Sequence, residues 1–313
     1  MNKKIDVITS VLGSYHHAGS ECLFACPYCK HHRRKLSINI ERNVYKCWIC
    51  DTRGKDIFRI IRRFGTFKEQ EKWKELSNTR YDLTDFDDLF GTHHPQQPNP
   101  ETIVDMPEGF QTLTGTPSSP TEKRIISYLD SRGVGKSDII KWKIGYTTQG
   151  RYRNRVVIPS FNQDGDLNYF VARAFTDQYM RYLNPPVSRN IIFNELYVDF
   201  SEEVVLVEGV FDAIKAHNSV PILGSSIRET SKLFQKIVKH DTPVLLALDP
   251  DARNKSNIIK TLLLKYAIEV RELKYPSDLQ DLGDLSHSEV EFLTQMAPFV
   301  TPSDKLLNAI EMI

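Results

Sequence analysis

Two short apolar runs in this chain end abruptly in carboxylates. Val204-Val205-Leu206-Val207 leads into Glu208-Gly209, and Leu245-Leu246-Ala247-Leu248 leads into Asp249-Pro250-Asp251. A continuous Val/Leu run without alternation suits a strand buried on both faces, as in a parallel sheet covered by helices. Helical patterns at 210–217, 229–239 and 255–266 separate these runs from further apolar stretches at 220–224 and 268–273. Strand–helix alternation of this kind predicts βαβ crossovers and a parallel sheet. In such sheets ligands bind beyond the carboxyl ends of the strands, where Glu208, Asp249 and Asp251 would lie.

The stretch before this region follows a different pattern. Ser119-Pro120-Thr121-Glu122 is a capping box with proline at the first helical position, and the helix it opens stops at Gly133. A second short helix is expected over 137–142. Residues 155–159 and 167–173 predict two strands around the turn Asn162-Gln163-Asp164-Gly165. Nearer the amino terminus, 5–12 and 56–64 read as helices. Residues 35–40 alternate and 43–46 follow, which predicts a hairpin. From 77 to 118 the pattern dissolves among Pro95, Pro98, Pro100, Pro107 and Pro117, the mark of a linker. Two helices, 286–296 and 303–313, are expected after the sheet.

Cysteine placement adds the next constraint. All five cysteines precede residue 51, and four of them form Cys26-Pro27-Tyr28-Cys29 and Cys47-Trp48-Ile49-Cys50. Two CxxC knuckles at this separation predict a closed tetrahedral zinc site of ribbon type, with Cys22 left over as a spare thiol and His31 and His32 as weaker alternatives to Cys29. Zinc there would be structural, because so small a module has little core of its own.

Net charge is only +1, but up to Glu75 the chain carries 16 Lys/Arg against 8 Asp/Glu. A basic amino-terminal module beside an acidic body fits one part that touches nucleic acid and another that holds metal. Lys30, Arg33, Arg34, Lys35, Arg42, Lys46 and Arg53 are interleaved with Tyr28, Tyr45 and Trp48. Cations for phosphates plus aromatic faces for bases suit single-stranded nucleic acid. Arg151, Arg153, Arg155, Arg173 and Arg181 cluster just before the acidic strands, as candidate phosphate holders. Converging carboxylates call for a hard cation such as Mg²⁺. No run reaches the roughly 18 apolar residues of a membrane span, and a signal-peptide core is absent, so the expectation is a cytosolic protein.

Taken together and in order, these segments resemble the DnaG-like DNA primases of bacteria and phages. The resemblance rests on the two CxxC knuckles followed by Gly54 and Asp56. It rests next on Tyr128-Leu129-Asp130-Ser131-Arg132-Gly133 through Gly145-Tyr146, Arg155–Pro159, Arg173 and Arg181-Tyr182-Leu183-Asn184. Its third part is Val207-Glu208-Gly209-Val210-Phe211-Asp212-Ala213, Leu223-Gly224-Ser225, Asp249-Pro250-Asp251 and Asp281-Leu282-Gly283-Asp284, the Toprim signature.

It implies a mixed α/β and small-β architecture. A zinc ribbon (1–76) and a linker (77–118) would precede an RNA polymerase domain with an α+β basic subdomain (119–200) and a parallel-sheet Toprim subdomain (201–285). A helical tail (286–313) would follow. It also implies an enzyme joining ribonucleoside triphosphates into RNA primers on a single-stranded DNA template by two-metal-ion nucleotidyl transfer. Glu208, Asp249, Asp251 and Asp281 would be catalytic and bind Mg²⁺ or Mn²⁺, with Asp284 or Asp278 as further ligands. Arg155, Arg173, Arg181, Tyr182 and Asn184 would hold template or nucleotide, and Trp48 would face template.

A separate replicative helicase is expected because no Walker A sequence occurs, and a single-stranded-DNA-binding protein is a further expected partner. The compact length suggests a phage protein working in the host cytoplasm. The competing reading is a Toprim nuclease, or a topoisomerase subunit, with a zinc ribbon. Ala252-Arg253 stands where Ala-Gly is usual, so the turn after Asp251 is expected to differ.

Overall fold

A computed structural model describes residues 3–77, 103–177, 180–224, 226–275 and 281–300. Asp278 and the expected helix at 303–313 lie outside them. The chain divides into two compact units, 1–100 and 101–313.

In the first unit α1 (Lys3–Leu12) precedes five strands, β1 (His16–Ala18), β2 (Glu21–Phe24), β3 (Leu36–Asn39), β4 (Val44–Cys47) and β5 (Arg53–Gly54). They form one antiparallel sheet in chain order. Beyond the expected hairpin the sheet gains β1 and β2, tied to β3 by the Glu21 carboxylate, which accepts from Ser37 Oγ (2.6 Å) and Asn39 Nδ2 (2.8 Å). Gly54 is needed where β5 crosses the Tyr45 ring, since a Cβ there would come within 2.6 Å of it. Helices α2 (Phe58–Phe64) and α3 (Phe67–Ser77) follow. Ile5, Ile8, Phe24, Leu36, Ile38, Ile60, Ile61 and Trp73 share the core of this unit.

The second unit opens inside the interval read as a linker. Its described part carries β6 (Gln111–Thr112) and buries Leu113, whose N–H donates to the Ile144 carbonyl. The reason is local: an edge strand of two exposed residues leaves no periodic signal. Next come α4 (Pro120–Ser131), α5 (Lys136–Lys141), β7 (Gly145–Thr147), β8 (Arg155–Phe161) and β9 (Leu167–Ala174). The Ser119 hydroxyl accepts from the Glu122 N–H, completing the cap. β6 to β9 form an antiparallel sheet in chain order.

Then follow β10 (Val204–Val207), α6 (Val210–Lys215), β11 (Ser219–Pro221), α7 (Lys232–His240), β12 (Val244–Ala247), α8 (Arg253–Lys265), β13 (Val270–Glu272) and α9 (His287–Met296). The four strands are parallel, in the order β11-β10-β12-β13. Every residue of β10 and β12 is buried, as expected of strands covered on both faces. Val156, Ile158, Tyr169 and Val171 of the antiparallel sheet share one core with Val205, Val207, Leu245 and Ala247 of the parallel one. Among the described residues no helix is long and apolar enough to cross a membrane.

Candidate metal centres and nucleic-acid surface

The strand order places one feature without further assumption. From β10 the chain crosses to β11 on one side, then returns to β12 on the other side of β10. The order therefore reverses between β10 and β12, and the crevice beyond their carboxyl ends is the expected ligand site. Glu208 leaves β10 and Asp249 follows β12 at that point.

Five carboxylates meet there. Oxygens of Glu208, Asp249 and Asp251 lie within 4.8 Å of one another, as do those of Asp212, Asp249 and Asp281. Asp249 belongs to both groups. Asp212, on the first turn of α6, accepts the Gly209 N–H at 2.8 Å. Asp281 accepts the Gly283 N–H at 2.7 Å, which fixes the short 3₁₀ turn at Leu282–Asp284. A Cβ on Gly283 would stand 3.0 Å from Asp281 and 3.1 Å from Asp212, so the two acids approach over a residue that has no side chain.

Repulsion among these groups appears in their proton affinities. Burial, a hydrogen bond with Asp281 and the charges of Asp281 and Asp249 push Asp212 up to about 8. Burial, then Asp281, Glu208 and Asp251, raise Asp249 to about 6, with Lys255 opposing. Glu208 Oε1 accepts from Lys255 Nζ at 2.7 Å, whereas its buried Oε2 has no hydrogen-bond partner among the described residues. Oxygen donors, surplus negative charge and an unsatisfied carboxylate oxygen together fit a hard divalent cation. The two triads sharing Asp249 fit a pair of such ions.

Several residues support this centre from behind. Lys215 of α6 is buried, and its Nζ donates to the carbonyls of Gly133 (2.7 Å) and Leu285 (3.0 Å). It thereby ties the 281–285 turn to the end of α4, and burial lowers its pKa. Tyr275 Oη donates to the Ala247 carbonyl at 3.2 Å, at the end of β12. A cavity of about 490 Å³ opens beside Asp249 between α8 and β13, with Arg253, Lys260, Lys274, Tyr275 and Phe299 in its wall. That volume suits a small-molecule ligand.

Asp284 is exposed and belongs to neither carboxylate group among the described residues. Asp212 lies within the Val207–Ala213 motif, where nothing in the sequence marks it as a ligand. Its place three residues after Gly209 reads as an ordinary helix cap, and the same spacing also turns it towards Asp281. Arg155 is buried, and its guanidinium donates to the carbonyls of Met180 (2.8 Å) and Arg181 (3.2 Å). Asn184 Oδ1 accepts the Ala172 N–H at 3.3 Å, which fastens the same loop to β9. Arg173 stacks on the Tyr182 ring at 4.5 Å, and Arg181 and Tyr182 face solvent.

In the first unit the four knuckle cysteines come together. Cys26 Sγ lies 3.8 Å from Cys50 Sγ, and Cys29 Sγ lies 3.8 Å from Cys47 Sγ. A tetrahedron with bonds of about 2.3 Å to zinc has edges of about 3.8 Å, so the thiols stand where such an ion would hold them. They are far too distant for disulfides. Lys30 and Asp51, the residues after each knuckle, both take left-handed backbone conformations (φ 53° and 55°), so the two turns are built alike. The Cys47 thiol and the backbone amides of Tyr28 and Cys29 pull Cys26 down to about 5, while the same pairing pushes Cys47 up and burial raises Cys29, so the metal-free cluster favours one thiolate. Trp48 is half-buried with Lys46 Nζ 4.4 Å above its ring.

No family model matches the chain. It is 23% identical to a DNA primase of Thermotoga maritima, over 93% of this chain and 59% of the relative. It is 19% identical to a DNA primase of Helicobacter pylori over 92% of this chain and 59% of that protein. Over 43% of its length it is 28% identical to a quarter of a Staphylococcus epidermidis DNA primase. Among solved structures, the RNA polymerase domain of Mycobacterium tuberculosis primase DnaG, in complex with a double-stranded DNA oligomer carrying a 6-nucleotide overhang, matches with a TM-score of 0.50. That match is 17% identical and covers 62% of this chain and 79% of that one.

The chain carries the fold of a primase RNA polymerase domain. Its parallel sheet is Toprim-like, preceded by an antiparallel sheet and, in the first unit, by a module in which four cysteines converge as zinc ligands would. The chain spans about 60% of the Thermotoga and Helicobacter primases it resembles.

Proposed function

We propose that this chain is a DnaG-type DNA primase, which joins ribonucleoside triphosphates into short RNA primers on single-stranded DNA. The observation that carries this reading is the pair of carboxylate triads sharing Asp249 at the switch point of the parallel sheet. Glu208, Asp249 and Asp251 would hold one Mg²⁺ or Mn²⁺, and Asp212, Asp249 and Asp281 the other. When bound, such paired ions supply Lewis acidity that lowers the pKa of an attacking 3′-hydroxyl and neutralises a leaving pyrophosphate.

The protein's own part is positioning. Gly209 and Gly283 hold Asp212 and Asp281 through backbone N–H groups, and Lys215 anchors the turn that carries Asp281. Arg155 acts at one remove by holding the backbone that presents Arg181 and Tyr182 to solvent, where Arg173, Arg181 and Tyr182 would meet phosphate and base. The zinc module, with Trp48 and its basic residues, would read template. Zinc in it is structural, since four thiolates leave no open coordination position.

The test is incubation with single-stranded DNA, labelled ribonucleoside triphosphates and Mg²⁺. Oligoribonucleotides that vanish in Asp249→Ala support the proposal. Template shortening without nucleotides would instead identify a Toprim nuclease.

A further inference from the structure

Among the described residues, one cation of the protein's own is paired within the acidic centre. Lys255 stands in the first turn of α8, four residues after Asp251, and its ammonium lies 2.7 Å from Glu208 Oε1. Both side chains are only partly exposed, at 26% and 28%. Among the described residues, Lys255 alone is ion-paired to any of Glu208, Asp212, Asp249, Asp251 and Asp281. Its partner's other oxygen is the unsatisfied one.

We propose that Lys255 is an internal stand-in for a divalent cation, which holds Glu208 until metal displaces it and then binds nucleotide phosphate. This rests on the metal-dependent reading above. A single ammonium cannot balance five carboxylates, and it engages only one oxygen of one of them, so a divalent ion competes with it for Glu208. The displaced ammonium stays tethered at the start of α8, beside the place where a nucleotide's phosphates would arrive. Lysine is suited to both duties: a compact charge on a flexible stem, able to exchange a carboxylate for a phosphate.

The inference separates two affinities that a merely structural lysine would leave alone. In the full chain, Lys255→Met should bind Mg²⁺ about fivefold more tightly, the effect of removing one part-exposed ion pair. At saturating Mg²⁺ the same variant should bind ATP more weakly, while Lys255→Arg stays near wild type for ATP. Both affinities are read by isothermal titration, with thermal-shift titration of MgCl₂ as a check that each variant is folded.

The effect must also run through Glu208. In a Glu208→Gln background, adding Lys255→Met should leave Mg²⁺ affinity nearly unchanged, whereas a lysine acting only through its general field would still alter it. Unchanged or weaker Mg²⁺ binding by Lys255→Met, unchanged ATP binding, or an undiminished effect in the Glu208→Gln background overturns the role of Lys255. If wild type itself shows no Mg²⁺ binding, the metal-dependent reading falls as well.

Discussion

Asp249 can be tested without any catalytic assay, because the structure says what its charge does to the metal-free protein. Burial and three neighbouring carboxylates raise its pKa from 3.8 to about 6. Folding therefore favours the protonated form. The resulting penalty is absent below pH 3.8, grows as pH rises, and is complete above about pH 6. At roughly 1.36 kcal/mol per pKa unit it reaches about 3 kcal/mol, of which partial exposure and relaxation should leave about 1–2 kcal/mol.

Asp249→Asn keeps the shape and removes the charge. In EDTA at pH 8 it should be more stable than wild type by that amount, or about 2–8 °C in Tm for a unit of this size. At pH 4 the advantage should nearly disappear. Added Mg²⁺ should reverse the order, since a ligand at 100 times its Kd contributes about 2.7 kcal/mol to the protein that binds it. The assay is thermal unfolding at both pH values, with EDTA or MgCl₂. If Asp249→Asn is less stable than wild type in EDTA at pH 8, the carboxylates do not repel one another as described.

Two further outcomes follow from other parts of the molecule. Cys47→Ser should lose zinc and melt the first unit, whose core surrounds the knuckles, while urea unfolding of the 101–313 unit is largely unchanged; zinc content and limited proteolysis distinguish the two. Lys215→Met should destabilise the second unit by about 2 kcal/mol, because the Gly133 and Leu285 carbonyls lose a buried, charged donor, and should weaken Mg²⁺ binding as the turn carrying Asp281 comes loose. Unaltered Mg²⁺ affinity in a destabilised Lys215→Met protein would show that this lysine only stabilises the fold.

The parallel sheet and the zinc module could be read from residue order because each writes a dense local signal. Val204–Val207 and Val244–Ala247 are uniformly apolar since both faces are buried, and the cysteine spacing follows from tetrahedral ligation. What escaped was long-range or weakly patterned. The α3 helix is almost wholly polar and buries only Trp73, so its sequence shows little periodicity. Asp212 has the spacing of a helix cap, and only the fold brings Asp281 to it.

Arg155 looked like its neighbours Arg151 and Arg153, yet it sits at the start of a fully buried strand segment and faces backbone carbonyls. Lys215 had no sequence signal, because the two carbonyls it binds lie 82 and 70 residues away. Arg253, the residue that departs from the usual Ala-Gly turn after Asp251, lines the cavity beside Asp249.

The sharing of Asp249 between two carboxylate triads is most directly tested by counting bound Mn²⁺ with electron paramagnetic resonance in the presence of a ribonucleoside triphosphate. Two ions per chain are expected in wild type, with one retained in Asp212→Asn and in Glu208→Gln and none bound tightly in Asp249→Ala. Two tightly bound ions persisting in Asp249→Ala would contradict a shared centre at the ends of β10 and β12.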